Sequence, residues 1–160
     1  MEKQFEKLIK ENELLLHKVC SMYAYDEASK QDLFQEIIIQ LWKAFPSFRG
    51  ESKLSTWLYR VALNTAITGL RKEKRRQPGK VQFTRHIQLS DPAPDAEEEQ
   101  SQQLYEAIEQ LNDIEKAIVM FYLEDKSYEE MEEVLGMSQG NLRVKMTRIK
   151  EKLRQLTKYK

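Results

Sequence analysis

Ser127-Tyr128-Glu129-Glu130-Met131-Glu132-Glu133-Val134-Leu135-Gly136-Met137-Ser138, running on into Gln139-Gly140-Asn141-Leu142-Arg143-Val144-Lys145-Met146-Thr147-Arg148, reads as a helix-turn-helix. In its first half Tyr128, Met131, Val134 and Leu135 recur at the spacing that gathers side chains on one face of a helix, with acidic residues covering the rest. Gly136 follows the last apolar residue, where a left-handed C-terminal cap carries no steric penalty for glycine. Ser138 can then accept a backbone N–H as N-cap of the next helix. The turn is about three residues long, as the motif requires. In the second helix Leu142, Met146, Ile149 and Leu153 make the buried stripe, which leaves Arg143, Lys145, Arg148, Lys150, Lys152 and Arg154 on other faces. In a DNA major groove this basic helix would aim its N-terminal side chains at base edges and its later cations at phosphates. The same pattern also suits an antiparallel helical hairpin with a solvated basic end, and the DNA reading takes precedence over it.

Outward from this motif, charge is segregated along the chain. The 160 residues carry a formal net charge of +0, which excludes a protein that coats DNA by overall basicity. Residues 1–80 hold 15 Lys and Arg against 10 Asp and Glu, residues 81–100 hold 1 against 5, residues 101–140 hold 2 against 10, and residues 141–160 hold 8 against 1. Two cationic regions result: the run Arg71-Lys72-Glu73-Lys74-Arg75-Arg76 and the second helix of the motif. Each ends a patterned helix, which favours contact with a polyanion.

Helical periodicity covers roughly residues 2–23, 29–45, 53–76 and 101–156, with glycine and proline almost wholly between these blocks and no convincing strand. Gln77 to Gln100, with Pro78, Gly79, Pro92, Pro94 and the acidic run Glu97-Glu98-Glu99, reads as a flexible linker. A structureless stretch of that length argues against one compact domain, so the expected architecture is all-α: two small helical domains, 1–76 and 101–160, joined by the linker 77–100. Cys20 is the lone cysteine, which excludes an intramolecular disulfide and a four-thiolate metal site and points to core packing in a reducing compartment. No apolar run approaches the length that spans a bilayer and the N-terminus does not resemble a signal peptide, so no membrane insertion and a cytoplasmic location are expected. His17 and His86 lack partners at catalytic or metal-ligand spacing, and no phosphate-cradling glycine loop occurs; no enzyme activity, small-molecule substrate or cofactor is expected.

The N-terminal half carries its own constellation. From Asp32 to Phe45, Leu33, Ile37, Leu41 and Ala44 make one apolar face, while Asp32, Gln35, Glu36 and Gln40 lie elsewhere on the cylinder. Phe34, Ile38 and Trp42 widen the stripe beyond what one neighbour needs, a sign of central burial or of a partner surface. Pro46 stops this helix, Phe48-Arg49-Gly50-Glu51-Ser52-Lys53 forms a short loop, and helical spacing resumes with Trp57, Val61 and either Asn64 or Thr65 on one face. Cations beside aromatic residues in that loop are the composition of a pocket for single-stranded nucleic acid.

The order of these parts resembles the extracytoplasmic-function (group IV) sigma factors of bacterial RNA polymerase over nearly the full length. Asp32-Leu33-Phe34-Gln35-Glu36, Leu41-Trp42, Phe48-Arg49-Gly50-Glu51-Ser52 and Thr56-Trp57-Leu58-Tyr59-Arg60-Val61-Ala62-Leu63-Asn64 look like sigma region two, as a helical bundle. The block from Leu111 through Ser127-Tyr128-Glu129-Glu130-Met131 to Leu153 looks like region four. The resemblance implies that Asp32, Gln35, Glu36, Gln40 and Trp42 dock on the β′ clamp helices of core RNA polymerase, with a further contact to the β flap. It implies that Phe48, Arg49, Ser52 and Lys53 capture an unstacked base of the promoter's minus-ten element, with Arg60, Asn64, Arg71 and Lys72 facing the same DNA during melting. It implies that the second domain binds the minus-thirty-five element through Gln139, Arg143, Val144 and Thr147 at base edges and Asn141, Lys145 and Arg148 nearer the phosphates, with Gly140 contributing backbone only. An anti-sigma factor is the further partner it suggests.

Several positions depart from the family pattern. Glu132 stands where a small residue, commonly alanine, is usual, and is expected to tilt outwards or find a cation. Asn141 replaces the usual threonine, Lys145 the usual arginine and Asn112 the usual proline, while Gly69 and Gly140 each weaken a helix by roughly 1 kcal/mol. Two rival readings are an ordinary helix-turn-helix regulator acting without polymerase and a sigma mimic that serves as a protein-interaction module.

Overall fold

The computed structural model describes residues 2–50, 53–76 and 96–157, and the side chains of 73–76, 96–98 and 100–101 are outside the description. Every regular element among the described residues is helical. The chain divides into two compact units, with the division falling inside the undescribed stretch 77–95 that the sequence reads as most of the linker.

The N-terminal unit contains α1 (Glu2–Glu11), α2 (Glu13–Tyr23), α3 (Glu27–Ala44), a 3₁₀ turn (Phe45–Ser47) and α4 (Leu54–Arg76). Periodicity alone reads 2–23 as continuous, but the chain breaks at Asn12. The Asn12 side-chain amide donates to the Leu8 carbonyl at 2.9 Å and its backbone N–H donates to Ile9 at 3.1 Å, a local alternative to the helical ladder that asparagine favours. Asp26 caps α3 by accepting the Ser29 N–H at 2.7 Å, so α3 begins earlier than the apolar pattern suggests. Helices α2, α3 and α4 pack on one another. Leu16, Val19 and Cys20 of α2, Ile37 and Leu41 of α3, and Leu58 and Ala62 of α4 are fully enclosed between them. Cys20 has the packing role expected of it, and burial pushes its thiol up to about 11, with Lys30 acting weakly in the other direction.

The C-terminal unit contains α5 (Ala96–Glu109), α6 (Asp113–Leu123), α7 (Tyr128–Leu135) and α8 (Gln139–Leu156). Helix α5 starts at Ala96, inside the expected linker. Helix α6 is the centre of the unit, with Lys116, Ala117, Ile118, Val119, Met120 and Phe121 all buried. Asn112, in place of proline, builds a complete capping box: its side chain accepts the Glu115 N–H at 2.9 Å and the Glu115 carboxylate accepts the Asn112 N–H at 2.9 Å. This departure therefore starts the helix by another route. Lys152 of α8 reaches the same Glu115 carboxylate at 3.3 Å. At the other end of α6, Asp125 takes a left-handed conformation (φ 58°) while the Lys126 N–H donates to Phe121 and the Asp125 N–H to Tyr122, the paired bonds of a Schellman cap.

Two glycines in these helices have opposite requirements. Gly136 ends α7 with φ 72°, whereas Gly69 lies within α4, and a Cβ at either position would meet nothing within 4 Å. Gly69→Ala is therefore expected to raise the stability of the N-terminal unit by roughly 0.5–1 kcal/mol, and Gly136→Ala to lower that of the C-terminal unit by roughly 1–2 kcal/mol, as read by thermal and chemical denaturation.

Candidate nucleic-acid interface

In the C-terminal unit the helix-turn-helix has the expected form. Gly136, Met137 and Ser138 make the turn, and the Ser138 hydroxyl accepts the Asn141 N–H at 3.2 Å. Ser127 caps α7 in a capping box with Glu130, a signal present in the sequence as Ser-x-x-Glu. Met131 of α7 and Leu142, Met146 and Ile149 of α8 are buried, while Leu153 is half-buried. With that stripe turned inwards, Val144 lies on the opposite side of α8 and is 49% exposed, with Thr147 and Arg148 also exposed. Asn141 is exposed and Lys145 half-buried along one edge.

Gln139 and Arg143 occupy the other edge, and both are held by α7. The Gln139 amide nitrogen donates to the Glu132 carboxylate at 3.2 Å. Glu132 thus neither tilts away nor pairs with a cation: it is half-buried and engages an amide donor one helix on. One turn along, the Arg143 guanidinium lies 5.0 Å from the centre of the Tyr128 ring, a cation–π contact worth about 0.5–1 kcal/mol at an exposed site. The sequence identifies Tyr128 only as core; in the structure it is half-buried and supports the arginine. Between these residues lies an open cleft of about 480 Å³ lined in part by Tyr122, Tyr128, Gln139 and Arg143.

The N-terminal unit presents two faces. On α4, burial of Leu58, Tyr59, Ala62, Leu63, Ala66 and Leu70 leaves Arg60, Asn64, Arg71 and Lys72 exposed on the far side, with Trp57 and Val61 half-buried beside them. Thr65 turns its hydroxyl back to the Val61 carbonyl at 2.7 Å, so Asn64 is the outward member of the pair that the sequence left open. The preceding loop places Arg49 and Lys53 in solvent and Gly50 at φ 72°; Glu51 and Ser52 lie outside the described residues. The Phe48 ring leans on Trp57 with centroids 4.9 Å apart, and a relay of rings continues through Phe45 (6.4 Å) and Phe5 (5.4 Å) to Trp42 (5.0 Å).

On α3, Asp32, Gln35 and Glu36 are exposed, and Gln40 donates to Glu36 at 3.0 Å. Trp42 is 44% exposed although it packs edge-on against Phe5. Ile39 on the same side is 46% exposed and Leu14 of α2 is 71% exposed, two apolar side chains that sequence reasoning did not single out. Ile39 was legible in principle, because it breaks the apolar spacing of α3 on the acidic side. Among the described residues no helix is long and apolar enough to cross a membrane.

Comparison with known proteins gives this arrangement a family. Residues 8–76 match Sigma-70 region 2 and residues 101–153 match Sigma-70, region 4. The chain is 30% identical to the ECF RNA polymerase sigma-E factor of Haemophilus influenzae, covering 75% of this chain and 70% of that protein, and 30% identical to its namesake in Escherichia coli, covering 84% and 78%. Among solved structures, the sigma factor RpoE of Bartonella quintana, crystallised with the anti-sigma factor NepR, superposes with a TM-score of 0.77 at 21% identity, covering 98% of each chain. The chain belongs to the extracytoplasmic-function sigma factors.

As a sigma factor it directs RNA polymerase in transcription initiation. The two matched regions fall on the two compact units, so the ordinary helix-turn-helix regulator, which accounts for the C-terminal block alone, is not the better reading. In the sigma factor, the outward residues of α4 and the exposed side of α3 share one small core, and the aromatic relay runs between them. Phe5→Ala is expected to destabilise the N-terminal unit by about 3 kcal/mol and to shift tryptophan emission to the red below the unfolding transition, since Trp42 and Trp57 are its two tryptophans.

Proposed function

We propose that the two units divide promoter recognition between them: residues 1–76 engage core polymerase and the minus-ten element, and the unit that opens with α5 engages the minus-thirty-five element. The observation that carries this reading is the outward surface of α8, where Val144, Thr147 and Arg148 stand opposite the buried Leu142, Met146 and Ile149, and Gln139 and Arg143 line the edge above the turn. In a major groove, Gln139, Arg143, Val144 and Thr147 reach base edges or a thymine methyl, and Asn141, Lys145 and Arg148 reach phosphates. Gly140, with open space around its backbone in the first turn, permits close approach of a phosphate to free N–H groups.

On the N-terminal unit, Arg60, Asn64, Arg71 and Lys72 follow the strand, and Phe48, Arg49 and Lys53 line the place where a melted base is received. Opening a duplex sacrifices stacking, and a base lodged against the Phe48 and Trp57 rings recovers part of it. This assistance to melting needs no bond-breaking group and no cofactor, so the protein is not an enzyme by this reading. Asp32, Gln35, Glu36, Gln40 and Trp42 form the acidic and apolar face for the β′ clamp helices, and the C-terminal unit meets the β flap. An anti-sigma factor regulates it, a reading supported by the complex of its structural neighbour with NepR, and it works in the cytoplasm, where polymerase and promoter DNA are.

Holoenzyme assembled from the chain and a sigma-free bacterial core, transcribing a genomic library, tests the whole reading: start sites sharing two spaced upstream elements are expected. Arg143→Ala is expected to lose about 1–3 kcal/mol of discrimination at one upstream position, while Arg148→Ala weakens all promoters alike and lowers the salt dependence of binding. An unchanged preference in Arg143→Ala would refute the docking of α8. Asp32→Arg combined with Glu36→Arg is expected to abolish co-elution with core enzyme while circular dichroism and thermal unfolding stay as in the parent; retained co-elution removes that face from the assignment.

A further inference from the structure

The hydrogen bond from Gln139 to Glu132 constrains more than the turn. An ionised carboxylate has only acceptor sites, so the Gln139 amide must turn its nitrogen towards Glu132 and its oxygen away from α7. One of the two amide N–H groups is used. What remains for DNA is a fixed edge made of a carbonyl oxygen and one N–H. A flipped amide would set its oxygen against the half-buried Glu132 carboxylate, two acceptors face to face.

We propose that Glu132 is a specificity-determining residue which, by locking the Gln139 amide, makes the base under the first turn of α8 one that carries an exocyclic amino group in the major groove, adenine first and cytosine second. Adenine offers an N6 donor beside the N7 acceptor and pairs with both parts of the presented edge; cytosine offers its N4 donor to the oxygen alone. Guanine and thymine present acceptors only: they can take the remaining N–H but leave the oxygen without a donor, and they are disfavoured for that reason. A glutamine without a locking partner can rotate to suit any of these edges, so the selectivity belongs to the pair of residues. Arg143 on the next turn is held in the same manner by Tyr128, which keeps the α7-facing edge of α8 organised before DNA arrives.

The inference rests on the placement of α8 against an upstream promoter element, and its test separates the two. Holoenzymes of the full chain and of Glu132→Ala, Glu132→Gln, Gln139→Ala and Glu132→Ala/Gln139→Ala transcribe a promoter library randomised across that element, with the RNA sequenced. The parent is expected to favour adenine or cytosine over guanine and thymine by roughly fivefold or more at one position, and Gln139→Ala to erase that preference. Glu132→Ala and the nearly isosteric Glu132→Gln are expected to admit guanine and thymine at that position alone, and the double variant to match Gln139→Ala. A uniform change across all positions, an unaltered preference in both Glu132 variants, or a parental preference for guanine or thymine at the Gln139-dependent position overturns the role of Glu132 while leaving the docking of α8 intact. A parent with no upstream preference at all overturns both.

Discussion

Helix α8 is anchored by three side chains, Leu142, Met146 and Ile149, and what the C-terminal unit can offer to DNA follows from that anchorage. Each contributes roughly 1.5–3 kcal/mol when fully withdrawn from water, while a helix of this length gains little stability by itself. Once those three face α6 and α7, the remaining residues have no freedom of face: Val144, Thr147 and Arg148 must point out, and Gln139 and Arg143 must lie along the α7 edge. An outward residue can be exchanged with little effect on the fold, whereas exchange of an anchor removes the packing that sets every face of the helix.

The N-terminal unit obeys the same constraint with more surface to satisfy. Helices α2, α3 and α4 share one core, and each also keeps an outward side, so an acidic and partly apolar surface on α3 and a cationic surface on α4 coexist on a bundle of modest size. The aromatic side chains that exceed the needs of that core are gathered into a relay. Trp42, Phe5, Phe45, Trp57 and Phe48 join α1, α3, the 3₁₀ turn, α4 and the loop, so the loop beside the proposed base pocket leans on packed rings.

Polar side chains do the fine positioning in the second unit. Asn112 and Glu115 start α6, Ser127 and Glu130 start α7, and Ser138 starts α8, so all three helices are fixed at the N-terminal end where unsatisfied N–H groups would otherwise fray. Glu115 also receives Lys152, which ties one of the cations of the basic helix to the scaffold and removes it from the set free to follow phosphates. Departures from the family pattern at Asn112 and Glu132 are absorbed in this way, by hydrogen bonds that a small or apolar residue could not make.

The helix-turn-helix, the all-helical class, the two blocks and the outward cations of α4 and α8 were legible in the chain because each rests on local periodicity or on a residue with one physical use, such as Gly136 at positive φ or Ser138 at an N-cap. Periodicity could not mark the start of α5 at Ala96, nor the break at Asn12, which depends on short-range polar competition rather than on spacing. Nor could it tell that Leu14 stays in solvent, that Tyr128 carries Arg143, or that Glu132 finds Gln139. Those are contacts or exposures set by which helix lies across from which: the order of side chains along one helix fixes its faces, but only packing decides what each face meets.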